Sequence, residues 1–348
     1  MELKELIISL SSLMTVSGFE YRAKDKLCEL VGEYFDEISS DRVGNIRLIK
    51  RCQKSDPALV MIDTHFDEIG MMVTKIHDGG FLSVTSIGGL DLAVLQASDV
   101  IIYGKKTIRG VIASTPPHLR KASNSDKLTE LADILIDTGY DKDELEKFVD
   151  VGTPIGFAPV YSELLGGTMV GKSFDNKACA ACAIYGVMNT PRETLAADVC
   201  ILLSVHEETV NIGGVAVGGF ELDPDYAMVI DVNLAKVPDS PRYESVDFGG
   251  GVSISISAIT DRRLTRMTEE LCKANNIKFT RVAAPSNTGT NTPALNLVGR
   301  GIPTADVGLP LKSMHTPSEV ISEADAIELS RLVSAFVSSN EIKEAFSI

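Results

Sequence analysis

No apolar run in the 348 residues approaches the roughly 20 that a membrane span requires. Internal repeats and low-complexity tracts are missing too, which removes solenoids and disordered linkers from consideration. Positive charge is scarce: 33 Lys and Arg stand against 48 Asp and Glu, a net charge of −15. Such a surface repels phosphate backbones and anionic lipid, so neither a nucleic acid nor a membrane is an expected partner. Cysteine is thinly spread as well. Cys28, Cys52, Cys179, Cys182, Cys200 and Cys272 form no disulfide framework in a chain of this length, and a reducing cytoplasm is the expected compartment. The opening residues carry acidic charge and then Leu6, Ile7, Leu10 and Leu13 at helical spacing, which reads as an amphipathic helix rather than a secretory signal.

What the chain has is apolar content, 44% against 23% charged residues, the balance of an ordinary soluble globular protein. Its length supports about two domains and a large core. Short apolar runs at Ala58–Ile62, Val199–Leu203, Ala227–Ile230 and Thr304–Val307 read as buried strands. Helical patterns at Ala23–Tyr34, Ala178–Met188, Arg263–Asn275 and Glu323–Val337 alternate with them. The fold class is therefore α/β, a mixed, largely parallel sheet covered by helices. From Ile69 to Leu165 the pattern changes to β-rich segments separated by glycine turns, among them Gly80–Val84, Val100–Tyr103 and Ile108–Ile112. These predict a small barrel-like domain, residues 69–165, inserted into a discontinuous domain of residues 1–68 and 166–348. A charged stretch, Asp126–Glu146, reads as a helix interrupting the insertion.

Five short segments carry metal-ligand residue types at the ends of apolar runs: His65-Phe66-Asp67-Glu68, Phe174-Asp175-Asn176, His206-Glu207-Glu208, Ile230-Asp231-Val232 and Met314-His315-Thr316. Two divalent ions held close together need imidazoles, terminal carboxylates, a bridging carboxylate and one unligated carboxylate to move protons. His65 and Asp67 are two residues apart, so in extended backbone they point the same way, and Asp67 can take the second ring nitrogen of His65. Glu207 and Glu208 are adjacent and diverge, which lets one ligate metal and the other act as general base; solvent exposure is the plain alternative. Asp231 and His315 follow other strands, and ligands in open α/β sheets collect beyond the carboxyl ends of strands. Asp175 precedes a helix beginning near Lys177, where a carboxylate caps the helix, bridges two metals, or does both.

Other motifs compete. Gly166-Gly167-Thr168-Met169-Val170-Gly171-Lys172-Ser173 matches the phosphate-loop pattern formally, but that reading needs a strand ending at Gly166 and a helix opening at Lys172. Cys179-Ala180-Ala181-Cys182 is a C-x-x-C within an alanine-rich helical stretch and lacks a second cysteine pair for zinc. His206, His77 and His118 read as structural or surface residues, with His118 in Pro116-Pro117-His118-Leu119 within range of a shared cleft. A glycosidase sets two carboxylates on opposite sides of a sugar bond, a poor fit to the neighbours Glu207 and Glu208.

Taken together, Ser17-Gly18-Phe19-Glu20, Asp41-Arg42-Val43-Gly44-Asn45, His65-Phe66-Asp67-Glu68-Ile69-Gly70, Pro116-Pro117-His118-Leu119 and Asp137-Thr138-Gly139 resemble the M42 family of metallo-aminopeptidases, glutamyl and deblocking types whose members are sometimes labelled cellulases or endoglucanases. The later metal-type segments fall in the family's order. The resemblance implies a zinc-peptidase type sheet with an inserted β-domain, and two divalent ions per subunit. His65 and Asp231 would hold one ion, Glu208 and His315 the other, and Asp175 would bridge them; Glu207 would be the base and Asp67 the support for His65. Zinc or cobalt suits such a mixed site, and ligand type leaves manganese open. Peptides with a free N-terminus are the implied substrates, and a hollow homo-oligomer, commonly of twelve subunits, the implied assembly. A related two-metal carboxypeptidase or deacylase is the first alternative, a phosphate-loop nucleotide-binding protein the second. The chain departs from the family pattern at Thr209-Val210-Asn211-Ile212-Gly213, where an arginine is missing, and at Asn291 and Asn176, where aspartates are frequent.

Overall fold

The computed structural model describes residues 1–55, 57–114, 131–209, 213–238, 240, 245–285 and 288–346. Pro116-Pro117-His118-Leu119 and Val210-Asn211-Ile212 lie outside the described residues. The strands in chain order begin with β1 (Glu37–Ser40), β2 (Ile46–Lys50), β3 (Leu59–His65), β4 (Gly70–Ile76), β5 (Phe81–Ile87) and β6 (Asp99–Tyr103). They continue with β7 (Thr107–Ile112), β8 (Leu135–Asp137), β9 (Pro154–Phe157), β10 (Tyr161–Leu164), β11 (Thr168–Gly171) and β12 (Asp198–Ser204). The last are β13 (Tyr226–Leu234), β14 (Val252–Ser257), β15 (Phe279–Ala284), β16 (Thr304–Lys312) and β17 (Glu319–Ser322).

One large mixed sheet runs β1-β2-β12-β3-β13-β16-β17-β11-β10, with β14 branching from β16 and carrying β15. Its centre, β12-β3-β13-β16, is parallel; both flanks are antiparallel. The division follows burial. Every residue of β12 and most of β3 and β13 are buried, as expected of strands covered by helices on both faces. The helix Phe174–Met188 is buried nearly throughout, because Ala178, Cys179, Ala180, Ala181, Cys182 and Ala183 let neighbours approach closely. At Gly186 an added Cβ would stand 2.6 Å from the carbonyl oxygen of Ser330, on the helix Glu323–Val337. The N-terminal helix Leu3–Ser11 buries Leu3, Leu6, Ile7 and Leu10 in the same core, in agreement with its amphipathic spacing.

Strands β4-β5-β8-β7-β6-β9 close into a separate barrel. In β7 Ile108, Gly110 and Ile112 are buried and alternate with exposed residues, the period of a sheet with one wet face. Met71, Leu82, Val100, Ile102, Ile136 and Ile155 fill its interior. β10 falls within the segment read as an insertion but pairs with β11 in the large sheet, so the barrel proper ends at Phe157. The expected helix over Asp126–Glu146 does not form in its described part. There the chain makes a 3-10 turn (Leu131–Asp133), strand β8, and a one-turn helix, Lys142–Leu145, capped by the Asp141 side chain. Pairing of β8 with β5 and β7 overrides the local charged propensity. Likewise the Ala23–Tyr34 pattern yields a shorter helix, Lys24–Val31, with 3-10 turns on either side. Among the described residues no helix is long and apolar enough to cross a membrane.

Candidate active site

The parallel strands deliver their side chains to one place. His65 ends β3 and lies in register with Ser204, the last residue of β12; Glu207 and Glu208 follow that strand end. Asp231 lies near the end of β13, in register with Gly308 of β16. Asp175 opens the buried helix, and its peptide bond to Asn176 is cis. His315 stands in the turn between β16 and β17. Together they line a cavity of about 280 Å³.

Asp175 is the centre of the arrangement. Its Oδ1 lies 3.1 Å from His65 Nε2, and its Oδ2 lies 3.3 Å from His315 Nε2. Asp231 Oδ1 stands 3.5 Å from His65 Nε2, and Glu208 Oε2 stands 3.3 Å from His315 Nε2. Two groups result, His65/Asp175/Asp231 and Asp175/Glu208/His315, each with ligand atoms within 4.8 Å of one another. The two oxygens of one carboxylate thus serve the two imidazoles separately. Glu207 takes no such place: its nearest approach to His65 Nε2 is 4.0 Å, and its side chain is 18% exposed against 4% for Glu208.

Asp67 lies behind His65, but the ring's closer contact is to the main chain. His65 Nδ1 is 3.1 Å from the Asp67 carbonyl and 3.6 Å from its carboxylate. The carboxylate is engaged elsewhere, accepting hydrogen bonds from the main-chain N–H groups of Glu207 and Glu208, each at 3.1 Å. One buried acid therefore fixes the backbone of the glutamate pair as well as lying against the histidine.

Burial strains the electrostatics of this cluster. Burial, followed by the Asp175 charge, pushes Glu208 well above the usual carboxylate range, and burial takes Asp231 up to about 7. Burial also raises Glu207. Although burial opposes it, hydrogen bonds from His315 and His65 hold Asp175 far below its ordinary value. Burial alone would lower His65, yet Asp231, Asp175 and Asp67 together keep it well above 6.5. Carboxylates outnumber imidazoles, and Glu208 Oε1 is buried without a hydrogen-bond partner among the described residues. Two imidazoles ringed by carboxylate oxygens, one of them orphaned, fit divalent cations of intermediate hardness.

Comparison with known proteins decides the family, because the M42 glutamyl aminopeptidase family matches residues 44–332. The chain belongs to the M42 glutamyl aminopeptidase family. It is a hydrolase of peptide bonds, and the aminopeptidases of this family depend on metal. The chain is 28% identical to the lysyl aminopeptidase of Pyrococcus furiosus over 92% of its own length and 93% of the relative's. An aminopeptidase from the archaeon Desulfurococcus kamchatkensis superposes with a TM-score of 0.89 at 27% identity, covering 99% and 98% of the two chains. The TET1 peptidase of Pyrococcus horikoshii, which assembles into a tetrahedron or a large octahedral shell, shares the fold with a TM-score of 0.84 at 24% identity over 97% and 99%.

The competing motifs of this M42 enzyme have structural explanations. The phosphate-loop pattern fails because Gly166 and Gly167, with φ of 79° and 71°, turn the hairpin between β10 and β11. Lys172 is buried on the Glu68 carboxylate, which also holds Ser173 and, at 2.9 Å, Lys177. Cys179 and Cys182 are free, buried thiols in a packed helix. His77 bonds the Ser83 hydroxyl at 2.7 Å on the barrel, and His206, half-buried, turns the chain into Glu207 with φ of 69°.

Two of the sequence departures lie beneath the site. Asn176 donates to the Ile230 carbonyl at 2.8 Å, and Asn291 donates to Asp63 and Ser204. The sequence reading missed Glu319 and Gly89. Glu319 is buried and accepts the main-chain N–H groups of Asp175 and His315; an acid four residues after a ligand-type histidine was the available signal. Gly89, in the connection after β5, puts the barrel against the site, since a Cβ there would lie 3.3 Å from His315 Nδ1.

Proposed function

We propose that this aminopeptidase uses two divalent metal ions, zinc or cobalt with manganese as a further choice, to release the N-terminal residue of peptides. His65 and Asp231 would hold one ion, Glu208 and His315 the other, with Asp175 between them. The observation that carries this reading is the shared carboxylate, each of whose oxygens meets a different imidazole. When bound, such ions supply Lewis-acid chemistry, activating water and polarising a peptide carbonyl.

The chain's own groups do the rest. Glu207 is the carboxylate left facing the cavity, and its raised proton affinity suits a general base. Its carboxylate accepts a proton from the attacking water as the water oxygen bonds to the carbonyl carbon. It then returns that proton to the amine nitrogen as the C–N bond breaks. Asp67 keeps Glu207 and Glu208 pointing apart through their main-chain N–H groups. We further propose that the inserted domain is the barrel from Gly70 to Phe157, shorter than the expected 69–165 because β10 belongs to the large sheet of the peptidase unit, and that the enzyme works as a homo-oligomer, with twelve subunits as the proposed number.

Aminoacyl-p-nitroanilides assayed with zinc, cobalt and manganese test the reaction. Turnover of free-amine substrates and none of their N-acetylated forms is the expected result. Equal turnover of blocked substrates would move the assignment to a carboxypeptidase or deacylase.

A further inference from the structure

Glu319 begins β17 opposite Gly171 of β11 and is only 2% exposed. Its two carboxylate oxygens are used on two different residues. Oε2 accepts the Asp175 main-chain N–H at 2.9 Å, and Oε1 accepts the His315 main-chain N–H at 3.0 Å. The side chains of those same two residues meet at 3.3 Å, Nε2 to Oδ2. Glu319, Asp175 and His315 therefore close a ring in which one acid spaces the backbones and the side chains converge on the candidate metal position.

His315 needs such a hold. Its φ of 60° lies in the left-handed region, a strained backbone for a non-glycine residue that persists only where the surroundings over-determine it. Asp175 is set by a second special segment, since Ser173, two residues before it, has φ of 53°. The Glu319 carboxylate is the acceptor that these two main-chain N–H groups share. Glu319 does not itself line the cavity; it holds two residues that do.

We propose that Glu319 is a positioning residue that selectively builds the Asp175/Glu208/His315 half of the centre. The inference rests on the two-ion reading above. Glutamine at this position keeps the volume of glutamate but offers one oxygen and one NH₂. Whichever way it turns, a donor faces a main-chain donor, and one of the two hydrogen bonds is lost. In the other group His65 and Asp231 are held by β3 and β13, so Glu319 reaches it through Asp175 alone.

The test is zinc alone titrated into metal-stripped full-length protein by calorimetry, with zinc content measured after dialysis, for the wild type, Glu319→Gln and Glu319→Asp. The wild type should take up two zinc ions per subunit. Glu319→Gln should bind one ion about 10- to 100-fold more weakly, the usual loss when a group that orients a ligand is removed, and should weaken the other, reached through Asp175 alone, by clearly less. The shorter Glu319→Asp arm cannot span both N–H groups and should show the same unequal loss. Two ions bound by both variants with unchanged affinity would overturn the proposal while leaving the two-ion reading intact. Fewer than two ions in the wild type would overturn that reading instead. Equal weakening of both ions, or failure of both variants to fold, would assign Glu319 to general stability and likewise end the proposal.

Discussion

Asn291 donates its side-chain amide to the Asp63 carboxylate at 2.9 Å in the layer directly beneath the candidate site. The same NH₂ donates to Ser204 Oγ at 3.0 Å, so its two hydrogens tie β3 to the end of β12, two residues below His65. Asp63 is fully buried, and burial raises its carboxyl to about 7. An aspartate at 291 would replace the donor with another acceptor. Asn291→Asp should cost about 1–3 kcal/mol, the range for a buried polar group that loses its partner. The sign with pH follows from the raised value. A carboxyl that holds its proton more tightly folded than unfolded contributes full stability below about 3.8 and loses it as pH rises towards 7, and a second such acid steepens the loss. Urea unfolding at pH 5 and pH 8 checks this. A variant as stable as the wild type at both would show that Asn291 is interchangeable.

Glu207 and Glu208 share a backbone anchor in Asp67 but differ in surroundings, which separates their expected phenotypes. Glu207→Gln should lower kcat by 10²- to 10⁴-fold, the typical contribution of a general base, with metal content unchanged. Glu208→Gln should lose metal as well as activity. Turnover close to wild type in Glu207→Gln would remove it from the chemistry.

The candidate site was legible in the sequence to the extent that strands end in reactive residues. His65, Glu207, Glu208 and Asp231 each terminate or follow an apolar run, and parallel register then brings them together. Asp175 carried two readings, and in the fold its carboxylate faces the imidazoles of His65 and His315. Glu319 was legible only as an acid four residues after His315, because Thr316-Pro317-Ser318-Glu319 looks like a polar loop; pairing of β17 with β11 buries it. Strand β8 was hidden for the converse reason, three residues in a charged stretch that only barrel closure makes extended.

Gly89 tests how closely the barrel abuts the chemistry. Its Cβ position is 3.3 Å from His315 Nδ1, tighter than an ordinary contact, so a branched side chain must displace the histidine or fill the cavity. Gly89→Val should reduce kcat/KM by about 100-fold, the scale of a 1 Å misplacement in a reacting site, with little change in the unfolding midpoint. Unaltered kcat/KM would place the Gly89 segment away from the substrate path.

Glu68 carries the last prediction. It is fully buried beside Lys172 and Lys177; burial would raise its pKa, but the two ammonium groups outweigh this and hold it at about 2. Its folded pKa is therefore depressed below the ordinary 4.5, so the stability it contributes is present above about 4.5 and lost as pH falls towards 2. The difference corresponds to on the order of 3 kcal/mol. Lys177 answers in the opposite direction, since burial lowers it to about 7, and the charged form it must keep below that pH relies on Glu68. Glu68→Gln leaves two buried ammonium groups without their counter-charge and should destabilise the fold by about 3–5 kcal/mol. The variant's unfolding free energy should also lack the steep acid limb expected of the wild type between pH 4.5 and 2. If thermal melts across that range give parallel curves for the two proteins, the carboxylate is not the group that the acid limb reports, and the packing of β3 against the buried helix must be credited with the stability instead.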